Sequence, residues 1–157
     1  MAPDPAQRTA AVLVGGYGGV GIHTVFSILR HFPGDFKNML FLSVGVIDSG
    51  SFKGEGEIEA LKQETEAMLK QYLELAGRLG IASTCRLAVG TDVVAEAWKL
   101  CMEVAREFPK TTFFIGKVIF ERESCYHRFL HNETAFAVQK RLEWAGKPMV
   151  ILPARIR

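Results

Sequence analysis

The run Gly15-Gly16-Tyr17-Gly18-Gly19-Val20-Gly21 holds the residues of this sequence best suited to binding chemistry. It directly follows the apolar segment Ala10 to Val14 and directly precedes a helical pattern. A strand, a glycine-rich turn and a helix in that order present backbone N–H groups and the positive end of a helix dipole to an anion. Gly16, Gly18 and Gly21 fit the G-x-G-x-x-G spacing, so phosphate is the ligand their chemistry suggests first. Such glycines also serve tight turns and close helix-to-sheet packing, and the spacing alone is a weak signal. A dinucleotide fingerprint adds an acidic residue at the end of the second strand, roughly 20 residues on. Asp48 stands at that topological place but arrives late, because His31 to Asn38 lengthen the connection. A phosphate or nucleotide therefore suits this turn better than a nicotinamide dinucleotide does.

A second group of chemically capable residues follows the fourth apolar segment. Gly116 and Lys117 open a connection that runs to Glu133, longer than the two to six residues usual in α/β units, and long connections of this kind often carry function. Lys117 could set an ammonium beside a bound anion, Asn132 could cap the last helix, and Glu133 could complement its dipole. Cys125, His127 and His131 have spacings that could converge on a metal, with no carboxylate or fourth ligand at hand, so no metal site is assigned. Motifs for acyl transfer, for P-loop phosphate binding and for zinc hydrolysis are absent. His23 falls in the first turn after the glycines, where a surface role is the simpler account. Binding rather than catalysis is the expectation.

The elements that must position these residues alternate two periodicities. Ala10 to Val14, Met39 to Ile47, Ala82 to Val89, Thr111 to Ile115 and Met149 to Leu152 read as strands. Ile22 to Phe32 reads as a helix ended by Pro33-Gly34. Ile58, Leu61, Thr65, Met68, Tyr72, Leu75 and Leu79 mark a long amphipathic helix with Gly80 behind it. Thr91 or Asp92 can cap a third helix that carries Val94, Ala97, Trp98, Cys101, Val104 and Phe108, and Pro109 marks its end. A fourth runs from about Asn132 to Ala145, with Gly146 after it. The string βαβαβαβαβ predicts a three-layer α/β sandwich, and right-handed crossovers favour a flavodoxin-like parallel sheet of order 3-2-1-4-5. Winding reverses beside strand one in that order. The ligand crevice is thus expected between the Gly15 to Gly21 turn and the turn after strand four, beginning at Gly116-Lys117.

Composition sets the outer limits. With 157 residues and 48% hydrophobic side chains, the chain can bury a single core. The 19 basic and 17 acidic residues leave a net charge of +2 with no block of like charge, which argues against a nucleic-acid partner. Three cysteines without C-x-x-C spacing argue against a disulfide framework. No run approaches the ~18 apolar residues of a membrane span.

Several stretches carry a family resemblance. Val12 to Thr24, and Phe32 to Asn38 leading to Ser43-Val44-Gly45-Val46-Ile47-Asp48-Ser49, resemble the soluble C-terminal domain of bacterial permeases of the amino acid, polyamine and organocation transporter superfamily. The segment Leu130 to Ala135, then Gln139 to Leu142 and Ile151-Leu152-Pro153, is similar to it too. The resemblance covers nearly the whole chain from Thr9. It implies a universal-stress-protein-like domain over residues 9–157, with residues 1–8 as linker or cloning remnant. It implies also a position on the cytoplasmic side of the cell membrane, a regulatory or assembly role, and the membrane-embedded part of the same transporter as partner. Stress proteins that bind ATP carry G-x-x-G, nine residues, then G-[ST] after strand four. This chain has Ile119 at the second glycine and His131-Asn132-Glu133 before the last helix. Any nucleotide would rely on Gly16, Gly18, Gly21, Asp48, Gly116 and Lys117. A stand-alone nucleotide-binding protein of stress-protein type is the alternative, and a homodimer through the last strand suits either.

Overall fold

The computed structural model describes residues 1–47, 54–120 and 126–156, with the side chains of 117–120, 126–134 and 154–156 outside the description. Five strands, β1 (Thr9–Leu13), β2 (Asn38–Val46), β3 (Ala82–Gly90), β4 (Thr111–Phe120) and β5 (Met149–Ile156), alternate with four helices. The helices are α1 (Gly19–His31), α2 (Glu55–Arg78), α3 (Val93–Glu107) and α4 (Tyr126–Trp144). All strand pairs are parallel, in the order β3-β2-β1-β4-β5. This is the flavodoxin-like α/β sandwich that the alternation predicts.

The pleat divides each central strand between two cores. Ala10, Val12 and Val14, with Met39, Phe41 and Phe114, face α1 and α2, where they meet Val25, Ile28, Leu69 and Tyr72. Ala11, Leu40, Leu42 and Phe113 face α3 and α4, against Leu100, Cys101, Val104, Val138 and Leu142. Strands buried on both faces read as continuous apolar runs, which is how β1 and β2 stand out in the sequence. Helix ends follow local chemistry. The Asp92 carboxylate accepts from the Ala95 N–H at 3.1 Å, and Gly80, just past the C-cap Leu79 of α2, takes φ 74°.

The segment after β4 departs from expectation. Instead of a connection from Gly116 to Glu133, β4 continues to Phe120, paired from Gly116↔Leu152 to Phe120↔Ile156, and α4 already begins at Tyr126. Gly116 and Lys117 are therefore strand residues rather than the start of a turn. Asn132 and Glu133 lie inside α4, so neither caps it. The apolar residues Val118, Ile119 and Phe120 extend the ladder because β5 also runs on, past Leu152 to Ile156. Pro153 is tolerated there because β5 is an edge strand. His127 and His131 sit one turn apart on α4, Cys125 lies outside the described residues, and no group of three or more metal-ligating side chains occurs among the described ones.

The first eight residues are held by the sheet. Asn38 is buried and donates from Nδ2 to the Asp4 carbonyl (2.7 Å) and to Thr9 Oγ1 (2.9 Å), while the Lys37 N–H donates to the Arg8 carbonyl. No helix of the described residues is long and apolar enough to cross a membrane.

One buried group gives the fold a pH signature. Cys101 on α3 is fully buried, and burial pushes its thiol from 9.0 up to about 12. A thiol with a higher pKa folded than unfolded favours the fold fully below about pH 9, and that contribution is lost as pH rises towards 12. Urea unfolding should therefore show wild type losing on the order of 2 kcal/mol more than Cys101→Ala between neutral pH and about pH 10.5. Parallel pH profiles of the two proteins would contradict this.

Candidate functional site

The C-terminal ends of β1, β2 and β4 open into a cavity of about 600 Å3, within the usual range of small-molecule sites. It lies at the switch point, beside the β1–α1 turn and the first turns of α3. Gly16, Gly18, Gly21 and Gly116 all line it. Lys117 follows in β4 with its side chain outside the description, and Asp48 lies outside the described residues. His23 is exposed and does not line this cavity.

The glycines of the turn fall into two groups. A Cβ on Gly21 would overlap the Tyr72 hydroxyl, and one on Gly116 would overlap Thr24 Oγ1 and crowd Val20. These two positions let α1 approach its neighbours. Gly15, Gly16, Gly18 and Gly19 differ: a Cβ on any of them would meet nothing within 4 Å, and none has positive φ. Neither backbone conformation nor packing within the described residues calls for glycine at these four. What their lack of side chains supplies is bare backbone facing the cavity, the surface a phosphate group needs.

Donors are present on that surface. The first hydrogen bond of α1 runs from the Ile22 N–H to the Gly18 carbonyl (3.0 Å), so the N–H groups of Gly19, Val20 and Gly21 have no intrahelical acceptor. The N-cap Gly18 has no side chain to satisfy them, and no acidic residue occupies the first turn. The Ser43 hydroxyl is the other open group. Ser43 lines the cavity from β2, is only 5% exposed, and has no hydrogen-bond partner among the described residues. A buried hydroxyl without a partner carries a desolvation cost that a ligand contact would relieve.

Tyr72 holds the turn in place. It reaches from α2 through the core, stacks on Phe41 at 5.0 Å, meets Tyr17 edge-on at 4.9 Å, and donates its hydroxyl proton to the Gly16 carbonyl. Burial pushes its pKa up to about 12, against the opposing effect of the Gly18 N–H at the same oxygen and with a smaller push from Tyr17. The phenol therefore stays protonated and keeps donating throughout the physiological range.

The remaining wall is apolar. Leu13, Leu42, Val44 and Ile115 face Val93, Ala97 and Leu100 of α3, and no charged side chain lines the cavity among the described residues. Backbone N–H groups at one end and aliphatic surface at the other suit a ligand with an anionic group and a flat or apolar body. Sequence reading missed Ser43, Tyr72 and the α3 wall as site residues. Ser43 was visible as the one hydroxyl inside an otherwise apolar strand, whereas the other two depend on how helices from distant parts of the chain dock.

A doubly wound sheet of this order with a crevice at its switch point is the architecture of universal stress proteins. The solved structures bear this out at the level of fold. A protein of the universal stress protein family from Burkholderia pseudomallei superposes with TM-score 0.64 at 15% identity, over 97% of this chain and 100% of that one. A universal stress protein family protein from Arabidopsis thaliana, with AMP bound, superposes with TM-score 0.55 at 13% identity, over 94% of this chain and 92% of that one. No family model and no curated protein matches the chain.

Proposed function

We propose that this chain binds a nucleotide, or another small molecule carrying phosphate, in the switch-point cavity, and that it works by binding rather than catalysis. The observation that carries this reading is the side-chain-free backbone of Gly15, Gly16, Gly18 and Gly19 lining the cavity, where neither backbone conformation nor packing among the described residues calls for glycine. The phosphate would sit on the N–H groups of Gly19, Val20 and Gly21, with the base against Val44, Val93 and Ala97. Lys117, within β4, and Asp48, which comes shortly after β2 in the sequence, are the residues we assign to a phosphate and a ribose. AMP in the Arabidopsis neighbour supports a nucleotide as the ligand class.

Thermal unfolding with ATP, ADP, AMP, NAD and cyclic dinucleotides tests this. At 100 times its dissociation constant, the true ligand should stabilise by about 2.7 kcal/mol, a rise of roughly 5–10 °C in a chain of this size. No shift with any of them removes the nucleotide reading.

The wider role we propose is that of a regulatory or assembly domain of an amino acid permease, contacting the membrane-embedded part of the same transporter. This reading rests on the wording of Val12 to Thr24 and of the segment after Leu130. The coding frame upstream of residue 1 decides it: several apolar segments of about 20 residues support it, and their absence favours a stand-alone nucleotide-binding protein. In either setting, the self-association we propose is a second copy pairing along β5, one of the two edge strands of the sheet.

A further inference from the structure

The outer face of α1 carries a second cluster that the switch-point cavity does not use. His23, Arg30 and His31 stand four residues before, three after and four after Ser27, which places all four on one side of the helix. They line a cleft of about 290 Å3 against Leu152 and Pro153 of the edge strand β5. Ser27 is 4% exposed and has no hydrogen-bond partner among the described residues, although a mid-helix serine usually bonds back along its own helix. Thr24, one turn earlier, does so, donating to the Val20 carbonyl at 2.7 Å. Arg30 makes no ion pair among the described residues, and no acidic side chain is among those lining the cleft.

We propose that this cleft is an anion site, distinct from the glycine turn, that takes the phosphoryl group of a small molecule. The Arg30 guanidinium offers a planar fork of donors, each imidazole offers an N–H, and the Ser27 hydroxyl gains at the cleft floor the partner it lacks among the described residues. Pro153 contributes no N–H and so leaves the recognition to α1. Charge of one sign on one wall and aliphatic surface on the other favour a compact oxyanion with a short organic body. The two cavities share no lining residue, so they can be occupied together.

Titration of the isotope-labelled chain with inorganic phosphate and with glycerol 3-phosphate, followed by amide and imidazole resonances, tests the proposal. Saturable shifts should cluster at His23, Ser27, Arg30 and His31, and should persist in Gly18→Val. Arg30→Gln, an exposed substitution that leaves the core untouched, should weaken binding about tenfold or more, and Ser27→Ala about threefold to tenfold. Tighter binding of the monoester than of phosphate identifies an organic phosphate as the ligand, and the reverse identifies the free ion. Shifts confined to Gly15 to Gly21, affinity unchanged in Arg30→Gln, or no saturable shift up to about 10 mM would each overturn it.

Discussion

Replacing Tyr72 by alanine is expected to destabilise the protein by about 3–5 kcal/mol, the range for deleting a fully buried aromatic side chain. The side chain is 0% exposed, and its ring fills the space between Phe41 and Tyr17 in the core beneath α1 and α2. Truncation would leave a cavity where sheet, α1 and α2 meet, and would strip the Gly16 carbonyl of its donor. Tyr72→Phe separates the two contributions. It keeps the packing and removes only the hydroxyl, so its cost should be about 1–2 kcal/mol. Urea unfolding with an unchanged slope and a lower midpoint is the measurement. If the alanine variant lost less than about 1 kcal/mol, Tyr72 would not be the post that this geometry makes it. The phenylalanine variant should also shrink any ligand-induced stabilisation, because the β1–α1 turn loses its tether while its glycines remain.

Much of this architecture was legible because parallel strands buried on both faces leave long apolar runs, and because helix ends here use ordinary chemistry. Asp92 and Gly80 announced their caps, and the order of the sheet followed from alternation and crossover handedness. The region after β4 was misread for a physical reason. Glycine usually interrupts a strand, and Gly116 looked like a stop. In the folded chain its missing Cβ is what admits Thr24 and Val20 of α1, so the strand passes through. That requirement comes from a helix nearly a hundred residues away in the sequence, where no local pattern could reveal it. Gly21 is a similar case: its spacing matches a phosphate fingerprint, yet its immediate duty is to make room for Tyr72. The two roles are compatible, since the fingerprint's third glycine serves helix packing in any case. The α3 wall of the cavity was hidden for another reason. Of Val93, Ala97 and Leu100, the helical periodicity marked only Ala97, as a core position, and only the docked geometry shows that the three together close a site.

Gly18→Val should nearly abolish nucleotide-induced stabilisation while leaving the fold intact, and the contrast with Gly21→Val makes the experiment decisive. Gly18 has φ −176° and ψ −168°, an extended conformation open to any residue, and a side chain there would meet nothing within 4 Å. The cost to stability should stay at or below about 1 kcal/mol, the difference between glycine and an apolar residue at an N-cap. Two valine methyls would nonetheless stand on the bare backbone where a phosphate must approach, so most of the about 2.7 kcal/mol gained at 100-fold saturation should vanish. Gly21→Val should do the opposite to the fold. Its Cβ overlaps the Tyr72 hydroxyl, an atom held in place by the Gly16 carbonyl and the surrounding rings, and overpacking of this kind costs about 1–3 kcal/mol or more. Thermal unfolding of both variants, with and without ligand, reads the two effects separately. A Gly18→Val protein that keeps its full ligand shift would move the phosphate away from the turn, because the only thing glycine contributes at that position is the absence of a side chain.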